Sequence, residues 1–282
     1  MKTALLTGQT GFVGKNIRDI LERSFYLLAP GRSELDLRDA VSVERYFDTH
    51  QVDVVFHCAN PNPVKNQLDT NEHFMEDCMR IFLNLYRCRH KYGKMVYLGS
   101  GAEYDKTMEI VNIREEDCFR SPPKEAYGLS KYAMNMLAEQ SENVYNLCLF
   151  ACFGPWDHAS KFITHCIRCC LRGEEITIRQ DCRFDYIHVY DLGRMMVWLG
   201  ENEPKHHMYN VSGCRHMLLS EIAEEVRRQM GAPHPVRVLN PGLNREYTAN
   251  GERFWKESGL EAPISMEDGI AMQIKWESEH AQ

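Results

Sequence analysis

The chain has 282 residues, with 40 acidic and 33 basic side chains and a formal net charge of −7. That balance speaks against a nucleic-acid-binding surface, and no apolar run approaches the ~18 residues a membrane-spanning helix needs. A strand pattern begins within two residues of the start, which leaves no room for a secretory leader, so the cytoplasm is the expected compartment.

Residues 2–7 read as a buried strand, followed at once by Gly8-Gln9-Thr10-Gly11-Phe12-Val13-Gly14. An amphipathic stretch comes next, residues 15–23, with Ile17, Ile20 and Leu21 at helical spacing. Strand, glycine loop and helix in that order are the context of a dinucleotide-binding turn. Glycines permit the tight turn and close backbone approach, and the helix N-terminus offers N–H groups to a pyrophosphate. Gly8, Thr10, Gly11, Phe12, Val13 and Gly14 are therefore candidate cofactor contacts, at Gly-x-x-Gly-x-x-Gly spacing.

A second strand over 25–29 runs into Pro30-Gly31-Arg32-Ser33-Glu34. The residue after this strand faces the adenosine ribose, where an acid suits a free 2′-hydroxyl and an arginine a 2′-phosphate. Arg32 thus favours NADP(H), with NAD(H) as the alternative, and Asp36 and Leu37 border the adenine. Residues 52–58 read as a third strand, placing Cys58, Ala59 and Asn60 at its carboxyl end beside the cofactor. Another buried strand, from Met95 to Leu98, ends in Gly99-Ser100. Leu98 is expected against the cofactor. Ser100 falls at the carboxyl edge of a parallel sheet, where ligands bind and a hydroxyl can hold a substrate oxygen. Glu103 follows as a substrate contact.

Residues 105–124 are polar and irregular, with Ser121-Pro122-Pro123, and read as a loop over the site. Tyr127 and Lys131 come next, in Ala126-Tyr127-Gly128-Leu129-Ser130-Lys131. On a helix they share one face, one turn apart. A free tyrosine gives up its proton only near pH ~10, and a fixed positive charge alongside favours the phenolate. Such a tyrosine can hand a proton to a carbonyl oxygen as it becomes an alcohol, or remove one in reverse. The pair alone is ordinary helix surface; its weight comes from following the glycine turn and the serine.

Strand and helix patterns alternate to about Leu149, which predicts an α/β fold, a Rossmann-like doubly wound parallel sheet over residues 1–154. A smaller α/β lobe is expected over 155–282, with a helix at 162–172, strands at 176–178 and 209–211, and a helix at 220–230 begun by Ser220. Cys166-x-x-Cys169-Cys170 has no second pair at matching spacing and reads as reduced thiols rather than a metal site. His206-His207 reads as surface.

The chain resembles the extended short-chain dehydrogenases/reductases of the NAD-dependent epimerase/dehydratase family, most of which modify nucleotide-activated sugars. The resemblance runs through Gly8 to Gly14, Glu34-Leu35-Asp36-Leu37-Arg38-Asp39, Val54-Val55-Phe56-His57-Cys58-Ala59, Gly99-Ser100, Tyr127/Lys131, Phe153-Gly154-Pro155, the run from Asp185 to Leu192, and Tyr209-Asn210-Val211. Ser100 precedes Tyr104 by four residues, as the family's catalytic serine precedes a tyrosine. The resemblance implies that Ser100 and Tyr127 hold the reacting oxygen, that Tyr127 moves the proton, and that Lys131 tunes Tyr127 and binds the nicotinamide ribose. It further implies Phe150 beside the cofactor and a homodimer through the helices near 74–89 and 127–139.

Departures narrow the chemistry. The Asp-Glu pair of 4,6-dehydratases falls at Gly101 and Ala102. The cysteine and histidine of GDP-fucose synthases, which residues 32–39 resemble, fall at Ala102 and Lys161. The family's arginine and asparagine near Phe153 fall at Cys148 and Ala151, and a phosphate-binding arginine at Phe184, next to Arg183. Lys161, Arg168, Arg172, Arg179 and Arg183 form the basic stretch that would face the diphosphate of a nucleotide sugar, with Lys161 and Arg183 as named contacts in a cleft between the two lobes. What remains is hydride transfer, most simply reduction of a nucleotide-linked 4-keto-6-deoxy sugar with Tyr127 as proton donor. A 4-epimerase holding NAD tightly is the rival. A non-catalytic dinucleotide sensor is the third reading, against which the joint presence of Ser100, Tyr127 and Lys131 speaks.

Overall fold

Runs such as Ala4-Leu5-Leu6 and Val54-Val55-Phe56 are fully enclosed. With no polar face to turn to solvent, such segments assemble as a parallel sheet covered on both sides. The computed structural model describes residues 1–61 and 73–280. It begins with β1 (Thr3–Thr7), α1 (Phe12–Glu22), β2 (Tyr26–Leu28), α2 (Ala40–Thr49), β3 (Val52–His57), α3 (Phe74–Arg87) and β4 (Tyr92–Leu98). Then come β5 (Ile110–Ile113), α4 (Ala126–Glu139), β6 (Val144–Leu149), β7 (Cys152–Phe153), α5 (Phe162–Leu171), β8 (Thr177–Asp181), β9 (Arg183–Asp185) and β10 (Ile187–His188). The chain continues through α6 (Val189–Glu201), β11 (Met208–Val211), β12 (His216–Leu218), α7 (Leu219–Met230), β13 (Arg237–Leu243), β14 (Tyr247–Ala249), α8 (Glu252–Ser258) and α9 (Met266–His280).

These elements form two bodies. The first comprises Met1–Lys106, Glu115–Leu149 and Leu192–Asn210. It is built on a six-stranded sheet of order β11-β6-β4-β3-β1-β2. Thr7 lies opposite His57, and His57 opposite Tyr97, so β1, β3 and β4 end nearly level. That shared carboxyl edge is where an open α/β sheet binds ligands. The sheet and helices α2, α3 and α4 enclose a core that includes Val43, Phe47, Phe82, Leu85, Tyr97 and Met134. The expected doubly wound α/β fold is present.

The second body takes Thr107–Arg114, Phe150–Asp191 and the chain from Val211 onward. Its α5 and α7 bury Ile163, Ile167, Ile222 and Val226, with Ile270 of α9 in the same cluster. Beside them runs a small sheet of order β12-β9-β14-β5.

Three elements differ from expectation. The segment 105–124 is not one loop: it carries β5, which pairs in parallel with β14, and a 3-10 segment, Glu115–Arg120. Glu115 and Cys118 are buried there, and the Glu115 carboxylate accepts the Asn210 N–H at 2.9 Å. The strand near 209–211 joins the large sheet rather than the smaller lobe, because all four residues of Met208-Tyr209-Asn210-Val211 are buried and complete its edge beside β6. Ser220 does not cap α7. The helix starts one residue earlier, and the Ser220 hydroxyl and N–H both bond the carboxylate of Asp181, at the end of β8. His207 is not free surface either: it stacks on Tyr145 with ring centroids 5.2 Å apart.

Candidate active site

The glycine turn closes on itself. Gly11 N–H donates to the Gly8 carbonyl at 3.0 Å, and Gly8 sits at φ +73°, where a side chain is strained. A Cβ on Gly8 would meet the Ala59 backbone at 2.6 Å, so the turn lies flat against the end of β3. A Cβ on Gly14 would collide with the Gly8 carbonyl oxygen. Gly11 is the N-cap of α1, and among the described residues the helix start has no side-chain cap and no carboxylate in its first turn. Thr10 is exposed there, and Phe12 and Val13 are half-buried. This is a cradle that any side chain would fill, opening on uncapped N–H groups, and it fits a dinucleotide pyrophosphate.

The end of β3 is pinned by one neutral pair. Thr7 Oγ1 accepts the Ala59 N–H at 3.3 Å and shares a hydrogen bond with His57 Nδ1, 2.8 Å away. Burial, helped by the nearby Lys131 charge, pulls His57 down to about 3 and keeps the ring uncharged. The neighbouring Cys58 thiol is pushed by burial up to about 12, against the pull of Lys131. Asn60 is exposed beyond it.

At the adenosine side, the Arg32 side chain is 72% exposed and only loosely paired with Asp36, at 3.9 Å. Glu34 turns its carboxylate back onto the Gly31 N–H at 2.8 Å, and Asp36 accepts the Arg38 N–H at 3.0 Å. The carboxylates of this loop thus cap its own backbone, while the Arg32 guanidinium extends into solvent. Leu37 is held through its carbonyl, which accepts from the Asn84 side chain at 2.9 Å.

Ser100 caps a short 3-10 turn, Gly101–Glu103, its hydroxyl accepting the Ala102 N–H at 3.2 Å. Tyr127 and Lys131 lie on α4, and the helix is forced close to that turn: a Cβ on Gly128 would strike the Ala102 carbonyl oxygen. Tyr127 adjoins Gly128, and Ser100 lies two residues before Ala102. Tyr127 is half-buried, its ring 5.6 Å from that of Phe74. Lys131 is buried, and its Nζ donates to the Leu98 carbonyl at 2.8 Å. Burial works against its charge, but Cys78, Tyr127, Glu103 and Cys58 together outweigh it, and the ammonium is held above its usual range. The turn, the tyrosine helix and the lysine are thereby brought to one sheet edge.

Glu103, expected to meet substrate, is fully enclosed instead. Its carboxyl accepts the Ser100 N–H at 2.8 Å and the Asn146 amide at 2.9 Å, leaving it no open face. Asn146 was missed by sequence reasoning, as was the Thr7/His57 pair; a polar residue inside an otherwise apolar strand was the only signal for either.

In the second body Lys161 is exposed at the N-cap of α5. Arg183 donates to the His216 carbonyl at 2.7 Å. Much of the basic stretch is committed to carboxylates: Arg168 to the fully buried Glu277 at 2.8 Å, and Arg172 to Glu174 at 2.7 Å. Phe150 packs on Tyr247, centroids 4.9 Å apart. Cys166 and Cys169 are buried in α5. Among the described residues, no three His, Cys, Asp or Glu side chains are grouped to hold a metal ion.

The sequence pattern of the NAD dependent epimerase/dehydratase family matches residues 4–212. The chain belongs to that family. It is 26% identical to the GDP-L-fucose synthase of Azorhizobium caulinodans over 219 residues, 70% of each chain. Its fold matches that of the UDP-glucose 4-epimerase of Thermotoga maritima with a TM-score of 0.83, at 20% identity, covering 99% of this chain and 100% of that one. A GDP-L-fucose synthetase from Naegleria fowleri bound to NADP also gives 0.83, at 18% identity, covering 99% and 94%. At these identities the two structural likenesses establish the fold. As a member, the chain carries the NAD(P)-binding architecture of an oxidoreductase family, and among its described residues no helix is long and apolar enough to cross a membrane.

Proposed function

We propose that this chain is an NADP(H)-dependent reductase of a nucleotide-activated 4-keto-6-deoxy sugar. The observation that carries the reading is the packing of Gly128 against the Ser100 turn, with Lys131 anchored to the end of β4. It supports the reading by holding the helix that carries Tyr127 and Lys131 against the Ser100 turn, at the carboxyl edge where sheets of this kind bind ligands. The glycine turn and the start of α1 would hold the pyrophosphate, Arg32 the 2′-phosphate, and Lys131 the nicotinamide ribose. Bound NADPH supplies the hydride that makes a ketone an alcohol. Ser100 Oγ donates to the carbonyl oxygen and orients it, Tyr127 gives that oxygen its proton, and Lys131 stabilises the phenolate left behind. His57 stays neutral and fixes the backbone at the end of β3.

Two features favour reduction over the carbon-acid chemistry of dehydratases and fucose synthases. Positions 101 and 102 hold Gly101 and Ala102, neither able to move a proton, and position 161 holds Lys161. The exposed guanidinium of Arg32 favours the 2′-phosphate of a dissociable reductant. The similarity to a 4-epimerase keeps that rival specific. Protein purified with tightly bound NAD, turning over without added reductant, would decide for epimerisation. Tyr127→Phe is expected to lower turnover about 10³-fold while NADPH affinity stays within a small factor. Loss of both together would mean that Tyr127 serves the fold or the cofactor rather than the proton.

A further inference from the structure

Behind Ser100 lies a carboxyl that this chemistry does not use. Glu103 is wholly enclosed, with Oε1 on the Ser100 N–H at 2.8 Å and Oε2 on the Asn146 amide at 2.9 Å. The fit leaves no slack, since a Cβ on Gly99 would run into both the Asn146 Oδ1 and the Glu103 Oε1. The ionisable groups whose charges reach Glu103 come from four elements: Lys131 on α4, Tyr97 on β4, Cys118 on the 3-10 segment and Cys148 on β6. Burial pushes Tyr97, Cys118 and Cys148 well up, so none of the three ionises near neutrality. Burial pushes Glu103 up to about 8, with the Ser100 N–H, the Asn146 amide and Lys131 pulling the other way.

We propose that Glu103 is a positioning residue for this site, a carboxyl that fixes the Ser100 peptide and sets how much of the Lys131 charge is left for the cofactor. The inference rests on the reductase reading. As a neutral acid, Glu103 fills the space between Ser100 and Asn146 without charge, and turning the Asn146 amide over gives its proton an acceptor. As an anion, it stands within reach of Lys131 and offsets the positive charge that grips an anionic dinucleotide. The sign follows by linkage: NADPH binds the protonated form better, takes up a proton, and binds more weakly as pH rises through about 8.

The test is calorimetric titration of NADPH into wild type, Glu103→Gln and Glu103→Asp between about pH 6.5 and about pH 9.5, with proton uptake read from buffers of different ionisation enthalpy. Wild type is expected to lose affinity by about tenfold across the range and to take up protons near pH 8. Glu103→Gln, which keeps the shape and removes the charge, should abolish the uptake and flatten the slope. Glu103→Asp keeps the charge but withdraws it from the Ser100 N–H, so it should retain the slope while kcat falls and sugar KM holds. A flat wild-type profile, or an unchanged slope in Glu103→Gln, overturns the inference. Should Glu103→Gln fail to fold, the wild-type slope and the Glu103→Asp split decide it. Absence of NADPH and NADH binding at every pH is a separate result, which removes the reductase reading and this inference with it.

Discussion

At the scale of single residues, His57 and Glu103 make stability depend on pH in opposite directions. His57 is held near 3 in the fold against an ordinary 6.5, so the unfolded chain binds the extra proton between those values. Its contribution is complete above about 6.5 and is lost as pH falls towards 3. Glu103 is raised from 4.5 to about 8, so the folded chain keeps the proton that the unfolded chain releases. Its contribution is complete below about 4.5 and is lost as pH rises towards 8. Thermal melts should therefore show Glu103→Gln gaining over wild type as pH rises from 5 to 8, and His57→Asn losing the acid sensitivity. A pH-independent offset in Glu103→Gln would contradict the buried, proton-retaining carboxyl. Arg32 bears on the cofactor: Arg32→Ala should raise the NADPH KM by roughly tenfold and leave that for NADH nearly unchanged, read by initial rates with each nucleotide. The positions of Ser100 after a strand end and of Tyr127 and Lys131 on one helix were readable because apolar runs and helical spacing mark those elements in the chain. Asn146, and Thr7 with His57, were not, since their partners lie tens of residues away and no local spacing announces them.

Secondary elements show the same division between local and distant causes. β1, α1, β3, α4 and α5 follow from apolar runs and helical spacing, and the structure places them within a few residues of the expectation. The start of α7 is capped locally by Glu221, whose carboxylate accepts the Leu218 N–H at 2.8 Å, but also by Asp181, which takes the Ser220 N–H from 39 residues away and could not be read from the local sequence. Asp181→Ala should destabilise the chain by about 1–2 kcal/mol, visible as a lowered thermal midpoint with cofactor affinity intact. β5 was overlooked since a four-residue strand flanked by polar sequence has too little alternation to register; its partner β14 lies far along the chain. In the glycine turn, Gly14→Ala should abolish NADPH binding, as the new methyl displaces the Gly8 carbonyl. Retained affinity in that variant, measured by fluorescence titration, would show that the turn is not the pyrophosphate cradle.

Over the whole molecule, the first body cannot be completed by the front of the chain alone. It needs Leu192–Asn210, which brings most of α6 and the edge strand β11. A Cβ on Gly200 would touch Phe25 and Phe56, and Lys2 donates to the Gly200 carbonyl at 3.1 Å, so this late segment closes the core under β1 and β3. A fragment of residues 1–154 should accordingly fail to unfold cooperatively, although its sequence reads as a self-contained nucleotide-binding unit. That dependence was hidden because α6 and β11 follow an intervening stretch with its own core. The claim on which the account depends most is that one tyrosine on this sheet edge protonates a ketone reduced by NADPH. The direct measurement is NADPH oxidation by wild type and Tyr127→Phe across a panel of dTDP-, GDP-, CDP- and UDP-linked 4-keto-6-deoxy sugars. Consumption of NADPH with one nucleotide class, abolished in Tyr127→Phe at undiminished NADPH binding, is the predicted result. Turnover without net oxidation of NADPH, or full activity in Tyr127→Phe, would contradict it.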